Sequence, residues 1–291
     1  MKKKIINGIF YSSVGSFWWG VIGVFYFKHV SFAGTVELVV HRSIWTAFIL
    51  FLSIIFYSRW RYFFEILNNK KKLFILFITG LLIFINWFTW IYAVVTNRLI
   101  DASFGYYIFP ILSVLFGFIF FNEKLNKNRI MSIILVLISI VYLLFNFKSI
   151  PWIGLTVAIT WSTYNLLRKK VNVKTDIGLL IETVFFVPVA FILFYFISQK
   201  GLNDFTFSKP DVMFWLFLAG PVTVIPLYLY LRGVELVGLG TSGMIFFITP
   251  TGQFLLGIFY FNEIFNIHKL IGFIFIWIAV IIYLKDLNQN K

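Results

Sequence analysis

Long apolar stretches alternate with short charged connectors along the whole chain. A membrane-spanning helix needs about 20 mainly apolar residues, because it rises about 1.5 Å per residue across about 30 Å of hydrocarbon. The stretches lie at about Gly8–Phe27, Thr35–Tyr57, Leu73–Val95, Ala102–Phe121, Arg129–Phe147, Pro151–Leu167, Ile177–Ile197, Val212–Leu231, Gly240–Phe261 and Lys269–Leu284. The alternation of apolar and polar residues that a transmembrane barrel needs is missing. The pattern predicts an all-α membrane protein with ten transmembrane helices.

Composition and charge refine this picture. Hydrophobic residues make up 60% of the 291 residues and charged residues 12%, whereas a soluble domain carries about 25% charged residues. The formal net charge is nevertheless +14. Nucleic-acid binding would need a polar face to carry such a basic patch. Ten apolar helices leave no such face, so we expect no nucleic-acid partner.

The basic residues are divided unequally between alternate connectors. Connectors on the side of the N-terminus hold eighteen lysine and arginine residues, and those on the opposite side hold six. Cytoplasmic loops are enriched in these residues, so we expect both termini in the cytoplasm and the chain in a bacterial inner membrane. The excess of basic charge is then a signal of orientation.

Several kinds of chemistry are excluded by missing residues and motifs. The chain has no cysteine, so disulfides, thiol nucleophiles and thiolate metal sites are excluded. Its three histidines, His29, His41 and His268, lie far apart and lack the spacing of metal ligands. The HExxH and GxSxG motifs of hydrolases are also missing. We therefore predict that the protein is not an enzyme and has no catalytic residue, metal or cofactor.

The chain contains an internal repeat. A shift of 140 residues aligns glycines, prolines and a charged tripeptide in its two halves. The aligned positions are Gly80 with Gly220, Pro110 with Pro250, Gly117 with Gly257, Phe121-Asn122-Glu123 with Phe261-Asn262-Glu263, and Asn126 with Asn266. Each half, 1–147 and 148–291, holds an odd number of spans, so the halves lie in opposite senses across the membrane. Inverted repeats are typical of secondary transporters, whose substrate site lies near the midplane between the halves.

Four ionisable side chains lie inside the predicted spans, where a charge is costly unless it is paired or faces a wet cavity. Glu37 and His41 are four residues apart on one helix and share a face, whereas Arg42 lies about 100° around that helix. Glu182 lies in the seventh span. We interpret the four as a gating or proton network, because histidine titrates near neutral pH. The alternative is that they pin helices together or reach lipid headgroups.

Polar and aromatic side chains in the other spans indicate a central cavity. Aromatic faces with a few amides suit small organic solutes that are partly apolar or cationic. The predicted substrate-binding residues are Trp19, Asn86, Trp90, Tyr106, Tyr107, Trp161, Asn165, Phe246 and Gln253. Pro110, Pro226 and Pro250 are predicted hinges, because proline removes a helical hydrogen bond. Interfacial belts and helix packing are competing roles for any single aromatic residue.

Motifs within the spans carry a family resemblance. They are Glu37-x3-His41-Arg42-x2-Trp45, Asn86-Trp87, Trp90-x-Tyr92-Ala93-Val94, Ala102-Ser103-x-Gly105-Tyr106 with Pro110, Leu167-Arg168-Lys169-Lys170, and Leu180-Ile181-Glu182-Thr183. Over nearly its whole length the chain resembles the RarD (chloramphenicol-sensitivity) family, an EamA-type branch of the drug/metabolite transporter superfamily. The resemblance implies two inverted five-helix repeats, no ATP site, and a cavity lined by helices one, three, four, six, eight and nine. It leaves helices two and seven as gates.

These observations predict a secondary transporter that works by alternating access, with proton coupling left open. It would move a small organic metabolite or drug-like solute, such as an amino acid or derivative, across the bacterial inner membrane. Its expected partners are that solute and membrane lipids, and its expected state is a monomer or homodimer. The alternative is a membrane-embedded lipid enzyme or scramblase, for which Glu37 with His41 is the one candidate site and lacks an evident nucleophile.

Overall fold

The computed structural model describes residues 2–96, 98–145, 152–260 and 267–289, and every regular element in these ranges is helical. A π-helical turn, Trp18–Ile22, joins the first two α-helices, and a 3-10 turn, Ser31–Ala33, precedes the third. The α-helices are α1 Lys2–Phe17, α2 Gly23–His29, α3 Gly34–Phe56, α4 Trp60–Asn68, α5 Lys70–Val95, α6 Leu99–Phe121, α7 Lys127–Leu144, α8 Trp152–Val171, α9 Thr175–Gln199, α10 Pro210–Phe217, α11 Ala219–Val237, α12 Leu239–Ile245, α13 Ile248–Phe259 and α14 Ile267–Gln289.

Five helical stretches in the described ranges are long and apolar enough to cross a membrane. They are Lys3–His29, Ser31–Phe56, Lys70–Val95, Thr175–Gln199 and Pro210–Val237. Large apolar side chains such as Phe56, Phe145 and Phe259 are strongly exposed on the surface. Buried polar side chains lie inside the bundle instead. This is the surface of a multi-pass membrane protein, whose solvent on the outside is lipid.

Three of the apolar stretches are interrupted where the sequence predicts single helices. In the first, the N–H of Gly23 bonds to the carbonyl of Trp18, five residues earlier, which makes the π turn. The eighth breaks at Leu218, between α10 and α11, and the ninth breaks between α12 and α13. Pro221 and Pro250 follow these two breaks, and a proline cannot donate to the carbonyl four residues earlier.

The predicted hinge prolines therefore occupy different positions. Pro110 lies inside α6 and Pro226 inside α11, both of which continue through the proline. Pro250 lies in the first turn of α13, immediately after the break. Whether any of them moves as a hinge stays a prediction.

One helix lies where the sequence analysis has a connector. α4 fills most of the segment between the second and third apolar stretches. Its buried Ile66 and partly buried Phe63 and Leu67 pack on the core, whereas Arg61 and Glu65 are exposed. Nine amphipathic residues are too few to span a membrane, so a search for long apolar runs passes over them.

The two halves of the sequence pack on each other helix by helix. The most extensive packing joins α1 with α11, α3 with α9 and α11, α5 with α8 and α9, α6 with α8 and α12, and α7 with α14. Glycines permit two of the close approaches. A Cβ atom at Gly80 would lie 2.9 Å from the carbonyl oxygen of Glu182, and one at Gly220 would lie 2.7 Å from the carbonyl carbon of Trp45. The interface between the halves therefore runs through the centre of the bundle.

Asp286, near the end of α14, ties this helix to the connector that follows α6. Its carboxylate oxygens accept hydrogen bonds from Asn126 at 2.6 and 2.7 Å, and one of them pairs with Arg129 at 3.1 Å. Loss of water raises the pKa of Asp286, but hydrogen bonds from Asn126, Asn128 and Arg129 outweigh it and hold the pKa below its ordinary value. The carboxylate is therefore ionised at neutral pH.

Candidate functional site

A narrow cavity lies between the two halves of the bundle. Its volume is about 20 Å³, which is room for about one water molecule. The wall is formed by Trp19, Arg42, Asn86, Trp87, Trp90, Tyr106, Trp161, Leu227 and Phe246. In the first half, Trp19 lies in the π turn, Arg42 in α3, the three residues at 86, 87 and 90 in α5, and Tyr106 in α6. In the second half, Trp161 lies in α8, Leu227 in α11 and Phe246 at the α12–α13 junction. Both halves therefore contribute side chains to one cavity.

Six of the nine predicted substrate-binding residues lie in this wall. They are Trp19, Asn86, Trp90, Tyr106, Trp161 and Phe246. The structure thus brings together residues that are more than 200 positions apart in the sequence.

Three predicted residues, Tyr107, Asn165 and Gln253, lie outside the wall. Tyr107 packs in a separate apolar cluster with α7, α12 and α14, because consecutive helical residues point about 100° apart and Tyr106 faces the cavity. The Asn165 amide donates to the carbonyl of Trp161 in its own helix at 2.8 Å. The Gln253 oxygen accepts a hydrogen bond at 3.0 Å from the Ser103 hydroxyl. Each amide is thus satisfied at one end only, because Asn165 Oδ1 and Gln253 Nε2 are buried without a hydrogen-bond partner.

Trp87 and Leu227 line the cavity but are absent from the predicted set. The sequence could have identified Trp87 as a lining residue, because it lies three residues before Trp90 and therefore shares a helical face with it. Leu227 gives no such signal, since nothing distinguishes it from the many leucines of the spans.

Aromatic contacts connect the wall to the core. The Trp90 ring lies 6.0 Å from Trp19 and 5.3 Å from Phe27, both edge to face. On the opposite side, Trp161 lies 6.0 Å from Phe246 and stacks on Tyr164 at 5.4 Å. Such ring geometries are favourable beyond simple burial.

Asn86 joins the two halves beside the cavity. Its amide nitrogen donates to the Val157 carbonyl at 3.2 Å and to the Thr160 hydroxyl at 3.0 Å, both on α8. A buried amide in an apolar bundle needs such partners, because lipid supplies none. Asn86 therefore also positions α5 against α8.

Arg42 lies with the cavity residues rather than with its sequence neighbours Glu37 and His41. Its guanidinium carbon is 4.3 Å from the ring centre of Trp87 and 4.9 Å from that of Trp19. The angle of about 100° between His41 and Arg42 explains the separation, since the two side chains leave α3 in different directions.

Glu37 and His41 form a network at the start of α3. The Glu37 carboxylate accepts hydrogen bonds from the backbone N–H groups of Asp204, at 2.9 and 3.0 Å, and Phe205, at 3.1 Å. His41 Nε2 lies 3.5 Å from the same carboxylate, and Trp45 Nε1 donates to His41 Nδ1 at 3.2 Å. The network fixes the loop between α9 and α10 on α3, and it contains no hydroxyl nucleophile.

Glu182 has a complete set of partners on α5 and α8. It accepts hydrogen bonds from Thr79 at 2.6 Å and Tyr164 at 3.1 Å, and Arg168 Nε lies 3.2 Å away. Glu182 is fully buried. Arg168 lies one residue beyond the sixth predicted span, which ends at Leu167, but α8 continues to Val171 and carries Arg168 into the bundle. A fully buried carboxylate needs a cationic partner. The presence of Glu182 inside a span was therefore the sequence signal that a basic residue such as Arg168 lies beside it.

A second cavity of about 350 Å³ opens at the end of the bundle where α8 meets α9. Arg168, Lys169 and Lys170 line it together with the acidic Glu235. The lining is therefore mainly basic.

Glu123 binds the start of α12 beside this second cavity. The carboxylate accepts the N–H groups of Leu239 at 2.8 Å and Gly240 at 2.9 Å, and Lys169 lies 2.6 Å away. The segment 238–243 has the G-x-G-x-x-G spacing of phosphate-binding turns, which the sequence analysis overlooks. Here the helix N-terminus already holds a carboxylate of the same chain, so the spacing serves packing between the halves.

No group of His, Asp and Glu residues in the described ranges is arranged to hold a metal ion.

The chain is similar in sequence to one transporter family and to several of its members. The model of the EamA-like transporter family matches the chain twice, at residues 6–145 and 148–285. Protein RarD of Salmonella typhi is 31% identical over 284 residues, which cover 98% of this chain and 96% of that relative. The uncharacterized transporter YojE of Bacillus subtilis (strain 168) is 31% identical over 280 residues, 95% of this chain and 93% of that relative. A solved crystal structure at 14% identity shares the fold, with a TM-score of 0.67 over 94% of this chain and 96% of that one.

Proposed function

The chain belongs to the EamA-like transporter family, and from this membership we propose that it is a secondary transporter of a small organic solute. The observation that carries the proposal is the central cavity, whose wall combines residues of both halves. A wall shared by two halves changes shape when one half moves against the other, which is what alternating access requires. At about 20 Å³ the cavity is too small for an organic solute, so binding must accompany such a movement.

The proposal includes ten spans in two inverted repeats, 1–147 and 148–291. Support comes from the glycine pair that the repeat aligns. Gly80 approaches α9 at Glu182, and Gly220 approaches α3 at Trp45. In the repeat, α5 corresponds to the α10–α11 unit, and α3 corresponds to α9. The contact of Gly80 with α9 and the contact of Gly220 with α3 are therefore equivalent under the repeat.

We place both termini in the cytoplasm of a bacterium, on the unequal distribution of basic residues. Contacts between connectors agree with this sidedness. Arg59 forms an ion pair with Asp176, and Lys169 pairs with Glu123, all from connectors assigned to the cytoplasmic side. The Glu37 network then lies at the outer end of the bundle and the Glu182 network toward the inner end.

In the proposed cycle these two networks act as gates. Opening to the outside would release the loop at Asp204 and Phe205 from Glu37. Opening to the inside would release Glu182 from Thr79 on α5 and from Arg168 on α8. Proton coupling is assigned to the pair of His41 and Glu37, whose side chains lie 3.5 Å apart. A lipid enzyme is not favoured, because Glu37 is occupied by backbone N–H groups.

The test is solute flux into liposomes that contain the purified protein, measured for a broad pool of metabolites with and without a pH gradient. We expect saturable uptake of at least one solute. Leu227→Trp, which fills the cavity, should abolish it, and Leu115→Trp on the exposed face of α6 should not. No saturable uptake of any solute by the wild-type protein contradicts transport. Uptake that is the same with and without the pH gradient contradicts proton coupling but not transport.

A further inference from the structure

Three aromatic rings enclose the guanidinium group of Arg42 at the central cavity. Its central carbon lies 4.3 Å from the ring centre of Trp87, 4.9 Å from that of Trp19 and 5.1 Å from that of Phe27. The residue as a whole is 2% exposed. Ring faces attract a cation, but they carry no net charge and do not replace an anionic partner.

Arg42 has no counter-ion within the part of the chain that the structure describes. No ion pair or hydrogen bond joins it to a described carboxylate, and its Nε–H group has no acceptor. The carboxylates of the neighbouring spans are engaged elsewhere. Glu37 binds the backbone of the loop before α10, and Glu182 pairs with Arg168.

Two further donors in the same wall lack acceptors. They are the indole N–H groups of Trp90 and Trp161, both buried and without a hydrogen-bond partner. Arginine and tryptophan side chains donate hydrogen bonds and accept none. No aspartate or glutamate belongs to the wall. The lining thus offers positive charge and N–H donors, and a solute that brings negative charge and acceptor oxygens would satisfy both.

We infer that the central cavity binds an organic carboxylate, whose anionic group pairs with Arg42 and whose flat apolar body packs against the surrounding rings. The inference rests on the proposed transport function and narrows its solute. Aromatic rings alone suit cations as well, but Arg42 repels a cation placed in the same cavity.

The experiment compares three probes that share one ring and differ in charge: phenylacetate, phenylacetamide and phenethylamine. Thermal unfolding of the detergent-solubilised, full-length protein is followed against the concentration of each probe, because a ligand of the folded state raises the apparent stability. We expect phenylacetate to bind about tenfold or more tightly than the amide, as a charge-assisted pair with arginine provides. Arg42→Gln should remove this preference, Arg42→Lys should keep part of it, and Arg61→Gln, at an exposed arginine of α4, should leave it unchanged.

The outcomes separate this inference from the proposed function. An amide or amine that binds as well as phenylacetate, a carboxylate that gives no stabilisation, or a preference that survives Arg42→Gln overturns the inference. The comparison of probes on the wild-type protein is decisive even where Arg42→Gln fails to fold. Saturable flux of a neutral or cationic solute would then leave transport standing, whereas the absence of all saturable flux is the separate result that contradicts transport.

Discussion

Two buried arginines of this bundle, Arg42 and Arg168, have opposite surroundings. Arg168 lies 3.2 Å from Glu182 and donates to the carbonyl of Thr175 at 3.3 Å. Arg42 is enclosed by aromatic rings and has no described carboxylate within reach. A buried ion pair with both partners in the chain holds helices together, whereas an unpaired cation at a cavity costs stability and marks a site of binding. Burial alone therefore does not distinguish a structural arginine from a functional one; the partner does.

The largest loss of stability is expected when the ion pair between Arg168 and Glu182 is broken. Arg168→Gln leaves Glu182 buried without its cation, so we expect the free energy of unfolding to fall by about 3–5 kcal/mol. Chemical denaturation in detergent measures it, with the exposed Arg61→Gln as the matched control. A loss no larger than that of the control would show that the pair does not hold α8 to α9.

A smaller effect is expected at the outer network. Glu37→Gln keeps an acceptor but removes the charge that strengthens three backbone hydrogen bonds, so a loss of about 1–2 kcal/mol follows. Hydrogen exchange at the amides of Asp204 and Phe205 should accelerate. Asp211→Asn, at an exposed carboxylate in the first turn of α10, should leave these rates unchanged. Equal rates in the wild-type and Glu37→Gln proteins speak against a gate at this position.

The smallest change in stability is expected at Arg42. Arg42→Gln removes a buried charge that has no anionic partner, so the free energy of unfolding should stay within about 1 kcal/mol of wild type or rise. The same denaturation experiment applies. A loss as large as that of Arg168→Gln would mean that Arg42 has a structural partner, and the contrast between the two arginines would disappear.

Much of the fold was accessible from the sequence, because apolar runs of about 20 residues report membrane-length helices. The interruptions were not. The π turn at Trp18–Ile22 and the breaks at Leu218 and before Pro250 depend on neighbouring helices as well as on local sequence. The short helix α4 was missed, because nine amphipathic residues resemble a charged connector.

The candidate site was predictable in part. Trp19, Asn86 and Trp90 stand out as polar or aromatic residues inside apolar helices, and the structure brings them to one cavity. The sequence also gives the angle that separates Arg42 from His41, but it does not tell which helix faces Arg42. Which residues meet across the bundle, such as Arg168 and Glu182, is decided by packing between distant segments.

In the proposed cycle, solute reaches the cavity alternately from both sides of the membrane. The chain has no native cysteine, so a single introduced thiol reports access directly. In oriented vesicles, Leu227→Cys in the cavity wall should react with a membrane-impermeant thiol reagent applied from either face. Leu76→Cys, fully buried on α5 outside the wall, should react from neither. A cysteine at position 227 that reacts from one face alone, or from none, contradicts alternating access through this cavity.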